Sequence, residues 1–240
     1  MRRIQKVRAL AGAARALAPT LIIALRPNSQ ELQNLGYAES KKEPKAKVLA
    51  TQAEFHKWGR ICRIGDASNP DDMTKWTVMM RGPSSDVAPE FPVYEGAIFK
   101  IRVEFPPTYP FKMPKFTFIA DGDVSIPFHP NVLSEAATAG EMCNKLIIGG
   151  VDWKGTMDAF FVLSNIYALL AAPSFSDIMA GVSSAAPYRT FSSAEGGDKA
   201  GALAAFAAQV KAACPESFDP AAQALFSSVP VPHLHASIAE

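Results

Sequence analysis

The sequence predicts an α+β fold: an N-terminal helix, a four-stranded antiparallel meander, an irregular segment, then C-terminal helices. Three observations carry this. Between 99 and 105, Phe99, Ile101, Val103 and Phe105 alternate with Lys100, Arg102 and Glu104, the period of a strand with one buried and one wet face. Four strand-like runs follow one another over short links, and only antiparallel neighbours can be joined without a long crossover. After Cys143 the period changes: Met157, Phe160, Phe161, Ser164, Tyr167 and the Leu169-Leu170 pair recur at helical spacing.

In order along the chain, Val48, Leu49, Gln52, Phe55 and His56 predict a short amphipathic helix over 45–57, stopped by Gly59. Residues 60–64 read as the first strand. Asn69-Pro70-Asp71-Asp72 is a turn, and 76–80 the second strand. A loop with Pro83, Pro89 and Pro92 leads to the strand at 99–105, and the proline-rich segment 106–114 to a fourth at 115–119. The helix after 157 has Thr156 as a candidate cap and Asp158 in its first turn, and ends at Pro173. An Ala-rich helix is expected over 201–213. Residues 214–240 read as a proline-containing tail, and 38–44 as a charged linker. The domain division is therefore 1–44 extension and linker, 45–213 folded domain, 214–240 tail.

At 240 residues and 48% apolar composition the chain can bury a sizeable core. A net charge of +1 gives no reason to expect nucleic-acid binding. Cys62, Cys143 and Cys214 are odd in number and far apart, and no paired Cys/His spacing exists, so neither a disulfide framework nor a metal site is expected. His233 and His235 are too isolated for a metal. Residues 1–30 hold six basic residues and no acid, with Ile4, Val7, Leu10, Ala14, Leu17 and Leu21 on one helical face. Such a start suits a mitochondrial targeting segment or an interfacial helix, or else a basic arm docked on the domain or a partner. Arg15, Pro19 and Arg26 interrupt it well short of the ~20 apolar residues of a membrane span. Mitochondrial and cytoplasmic locations both stay open.

The chemistry concentrates in His129-Pro130-Asn131, followed through a loop of small residues by Gly140-Glu141-Met142-Cys143. A lone cysteine is commonly an inert buried thiol, and Asn is common in turns. Here an amide precedes a thiol, upstream of which lie Trp76 to Pro83, Tyr94 to Lys100, and Phe105-Pro106-Pro107-Thr108-Tyr109-Pro110-Phe111-Lys112-Met113-Pro114. In that order, with Trp153 and the helix ending at Pro173, the chain resembles the ubiquitin-conjugating enzymes. The match extends roughly over 45–213 and is close over 76–173.

The resemblance implies the family's UBC-like fold and a thioester on Cys143, with Asn131 as oxyanion donor and Asp177 orienting or deprotonating an incoming lysine. A preformed amide donor suits a tetrahedral intermediate, and a thiolate is both a good nucleophile and a good leaving group. No base needs to touch the thiol, because the acyl donor arrives activated, unlike a Cys-His protease. His129 and Pro130 are then structural. Asp177 has the plain alternative of a solvated loop acid. Pro110, Phe111 and Lys112 are the implied ligase contact. Implied partners are ubiquitin or a ubiquitin-like modifier, an activating enzyme and a ligase, with no cofactor.

Several positions depart from the family pattern. The loops 82–94 and 131–143 are longer, Asn144 replaces the usual leucine, Lys154-Gly155-Thr156 stands for the usual Ser-Pro-Ala, and Ala171-Ala172 replaces acids. A second reading follows: an accessory subunit of a larger, membrane-bound mitochondrial complex, docked through 1–44 and weak or silent in catalysis.

Overall fold

In a computed structural model of the chain, the structure describes residues 29–37, 46–70, 72–179, 185–193 and 198–231. The basic stretch 1–28, the linker 38–45 and His233 and His235 lie outside them. In chain order the elements are α1 (Ser29–Asn34), α2 (Ala46–Trp58), β1 (Gly59–Ile64), β2 (Lys75–Arg81), β3 (Ile98–Glu104), β4 (Lys115–Ile119), α3 (Asn144–Ile147), α4 (Ala159–Ala171), α5 (Ala185–Ser193), α6 (Lys199–Ala213) and α7 (Pro220–Ser228). The strands form one antiparallel sheet in the order β1-β2-β3-β4, the expected meander. No described helix is long and apolar enough to cross a membrane.

The period-2 pattern of β3 decides which face is core. Phe99, Ile101 and Val103 are wholly buried with Trp76, Val78 and Met80 of β2, and α4 supplies Ala159, Val162, Leu163, Ile166 and Leu170 to the same cluster. The cap of α4 is Asp158, whose carboxylate accepts from the Phe161 backbone N–H, so it takes the place expected for Thr156. Trp58, at the end of α2, stacks on Tyr167 of α4 with ring centres 4.9 Å apart.

The outer face of the sheet is not wholly wet. Residues 214–228, expected as part of a tail, fold into a short 3-10 turn and α7, which pack there. Ala222 and Phe226 bury against Met79, Ile98 and Val124 in a second, smaller core. The Arg60 and Arg81 guanidiniums lie 4.9 and 4.8 Å from the centre of the Phe226 ring. Lys100, expected exposed, is 6% exposed, and its ammonium is matched by Asp121 at 2.6 Å and Asp123 at 2.8 Å. A helix nine residues long shows little period, but Asp219 capping the Ala221 N–H with Pro220 at the first helical position is a readable start signal.

Helices α5 and α6 extend the inner core towards the segment before Asn131. Phe128 stacks on Tyr188 of α5 at 4.9 Å, and Phe175 packs on Phe191 at 5.1 Å. The C-terminal helices thus buttress both chain segments that meet around Asn131.

If α7 is part of the fold, Phe226→Ala removes its main anchor. The expected cost is about 3 kcal/mol, read by urea denaturation; an unchanged midpoint would show that α7 adds nothing to stability.

Candidate active site

The site is built where three segments meet: the turn 129–131, the hairpin that follows it, and the loop 174–179. His129 is 1% exposed. Its Nδ1 accepts the Asn131 backbone N–H at 3.0 Å, which leaves the ring proton on Nε2, donated to the Leu169 carbonyl of α4 at 3.0 Å. Burial lowers its pKa to about 4, with the Leu169 bond opposing. A neutral ring with both nitrogens engaged cannot act as a general base at neutral pH. His129 holds the turn, and the Pro130 carbonyl adds a bond from the Met179 N–H at 3.1 Å.

Asn131 is fully buried. Its side-chain nitrogen donates to the carbonyls of Ser174 at 2.8 Å and Asp177 at 2.9 Å, and its oxygen accepts the Ser174 N–H at 2.9 Å. Both amide hydrogens are therefore committed to the loop. The chemical role expected for this residue requires one of them to be released or shared, because an NH2 group has only two to give.

The loop from Asn131 to Cys143 is long but ordered. Val132 pairs with Met142 in an antiparallel bridge, and the Leu133 N–H donates to Glu141 O at 2.9 Å. Asn131 and Cys143 are the residues that flank this bridge on the side away from the hairpin tip. The hairpin also continues the sheet beyond β4: Thr117 bridges Glu141, Phe118 N–H donates to Gly140 O at 2.9 Å, and Lys115 pairs with Glu141 at 2.7 Å. Gly140 has φ +85, and any Cβ there would collide with the Phe118 carbonyl, so only glycine fits. The Val132–Met142 bridge and the Leu133–Glu141 bond keep one register at the base of this long hairpin.

Cys143 itself is half-buried, in extended backbone conformation at the entrance to α3. Its carbonyl accepts the N–H groups of Leu146 and Ile147 at 3.0 and 3.2 Å, and Asn165 of α4 bonds the Ile147 carbonyl at 3.2 Å. The other thiols fit the inert reading better. Burial pushes Cys214 up to about 11 and raises Cys62.

Asp177 is exposed, and its carboxylate accepts the hydroxyls of Ser174 at 2.6 Å and Ser176 at 3.1 Å. These bonds, Ser174 first, lower its pKa below the ordinary carboxylate range. It is thus an anion at neutral pH, suited to orient an ammonium and a weak acceptor of its proton.

Pro110, Phe111 and Lys112 lie on a separate loop. The Trp153 indole N–H donates to the Pro110 carbonyl at 2.8 Å, and Phe111 is 85% exposed. Trp153 anchors this loop, and the Tyr94 hydroxyl holds the Phe128 carbonyl at 2.7 Å, next to His129. A buried tyrosine needs a partner for its hydroxyl, which was the available signal. Among the described residues no group of His, Cys, Asp or Glu is arranged to hold a metal.

Comparison with known proteins bears on the family. Residues 49–190 match the family model of ubiquitin-conjugating enzyme. The chain is 31% identical over 129 residues to "Ubiquitin-conjugating enzyme E2" of African swine fever virus (strain Badajoz 1971 Vero-adapted), covering 51% of this chain and 53% of that protein. It is 35% identical over 114 residues to "Probable ubiquitin-conjugating enzyme E2 31" of Arabidopsis thaliana, covering 48% and 62%. With "Ubiquitin-conjugating enzyme E2 2" of Candida albicans (strain SC5314 / ATCC MYA-2876) it shares 30% over 107 residues, covering 45% and 50%. The matched region spans about half the length of most of these relatives. With more than half of the chain inside the family model, the protein belongs to the ubiquitin-conjugating enzyme family.

Proposed function

We propose that the protein carries ubiquitin, or a ubiquitin-like modifier, as a thioester on Cys143 and transfers it to a lysine amine. The observation that supports this reading is the Val132–Met142 bridge, which leaves Asn131 and a half-buried Cys143 as its flanking residues in one hairpin. In the first step the Cys143 thiolate attacks the modifier's C-terminal carbonyl on an activating enzyme. A new C–S bond forms and the activating enzyme's thiolate leaves. In the second step a lysine amine attacks the thioester carbonyl, the C–N bond forms, the C–S bond breaks and Cys143 is regenerated. The amine loses its proton to solvent or to the departing thiolate.

Asn131 is the proposed donor to the oxyanion of the second step. Because Ser174 and Asp177 hold both its hydrogens, donation requires the loop 174–177 to yield one bond. Asp177 is the proposed anchor for the lysine ammonium before attack. The exposed Phe111, with Pro110 and Lys112 on a loop pinned by Trp153, is the proposed ligase contact. The alternative of an accessory subunit docked on a membrane or large complex draws no support from the comparisons, all of which point to conjugating enzymes.

Three outcomes are expected. With activating enzyme, ATP and ubiquitin, the wild-type chain forms a reductant-sensitive adduct on a gel that Cys143→Ala abolishes; an adduct retained by that variant would overturn the assignment. Asn131→Ala keeps loading but slows discharge to free lysine by about 100-fold. It also lowers stability by roughly 1–3 kcal/mol through the loop carbonyls left without donors, so both readouts are needed, and unchanged discharge would remove its catalytic role. Asp177→Asn slows discharge at low lysine concentration and leaves the shape of the pH profile between pH 6 and 9, on the order of three pH units, unaltered. Its pKa is held below the normal value of about 3.9, so the carboxylate is charged throughout that range and is lost only in stronger acid.

A further inference from the structure

Segment 29–37 is docked on the domain through contacts that, with one exception, are neutral. Leu32 and Leu35 are buried to 0% and 1% exposure. The Gln52 amide of α2 donates to the Gln33 carbonyl at 3.0 Å, and the His56 Nε2 bonds the Leu35 carbonyl at 3.1 Å. The Tyr37 hydroxyl accepts the Ile61 N–H of β1 at 2.9 Å. Burial, with Arg60 adding, lowers the His56 pKa, so this ring is neutral as well.

The exception is Glu31. Its Oε2 accepts the Ala159 N–H, the first of α4, at 2.8 Å. Its Oε1 is buried with no hydrogen-bond partner. A charged carboxylate here has one donor for two oxygens, and the charged group that bears on it from α4 is another acid, Asp158. Asp158 already caps the same helix end through Phe161. Two acids compete for one helix N-terminus, and only one of them is solvated.

We propose that Glu31 is a proton-operated latch: protonated, it fastens segment 29–37 to α2 and α4, and ionised, it loosens that segment. This is independent of the chemistry at Cys143, although α4 also provides the Leu169 carbonyl that holds His129. Burial raises the Glu31 pKa to about 8, the Ala159 N–H opposes and Asp158 adds to the rise. A solvated glutamate titrates near ~4.3. Between those values the docked segment keeps a proton that the undocked one has lost, so docking weakens as pH rises. The limiting dependence is about tenfold in the docking equilibrium per pH unit from roughly pH 4.5 to 8, flat above and below.

The test is a carboxyl carbon-13 NMR titration of the full chain from mild acid to mild alkali. Expected is a Glu31 midpoint near 8, with the amide signals of Tyr37, Ile61 and Ala159 moving at the same midpoint. In Glu31→Gln, whose side chain can still accept from Ala159 and does not titrate, that movement disappears. A wild-type midpoint below about 5.5, near the solvated value, would overturn the proposal. So would a midpoint near 8 with the Tyr37 and Ile61 amides unmoved, since the acid would then ionise without releasing the segment. Both overturning results come from the wild-type chain, so the test survives if the variant fails to fold.

Discussion

Everything at the candidate site hangs on the buried side chain of Asn131. It makes three hydrogen bonds to the backbone of 174–177, and its own N–H is held by His129, which is tied in turn to α4. An unpaired buried amide costs more than the net contribution of any one of those bonds, which ties the turn, the loop and the end of α4 to one another. The same closure takes the amide away from the thiol it is proposed to serve. Structural support and catalytic donation draw on the same two hydrogens, and the loop 174–177 is the element that must move for the second to occur.

The long loop before Cys143 shows how residues at a hairpin tip can be accommodated without disturbing the pairing at its base. Added residues placed at the tip of an antiparallel hairpin leave the pairing nearer its base unchanged. Val132 and Met142 form that base, Gly140 lets the hairpin lie close on β4, and the Lys115–Glu141 pair closes it at the surface. The register at that base is therefore insensitive to the length of the tip.

The chain also uses its ends. Towards the C-terminus Phe226 fills a place on the outer sheet face between two guanidiniums, and Lys100 in the same sheet stays charged because Asp121 and Asp123 neutralise it. In segment 29–37 the carbonyls of Gln33 and Leu35 bond Gln52 and His56, and Glu31 accepts from α4. Both attachments bury polar groups with specific partners, which orients a short helix better than apolar contact alone.

The sequence by itself determined the meander, the core face of β3 and the helix ending at Pro173, because period, proline and glycine act locally. It also determined the order His129-Pro130-Asn131 then Cys143, and hence the family. What only the tertiary structure decided was where polar groups find partners. Lys100 was read as wet because alternation cannot see the loop acids Asp121 and Asp123 that pair with its ammonium. Helices α1, α5 and α7, of six, nine and nine residues, are too short for periodicity and are stabilised by what they pack against. The commitment of the Asn131 amide to Ser174 and Asp177 was equally invisible, since a hydrogen bond across more than forty residues leaves no mark on either segment. Local steric rules write the elements; long-range hydrogen bonds and burial decide which side chains are free to act.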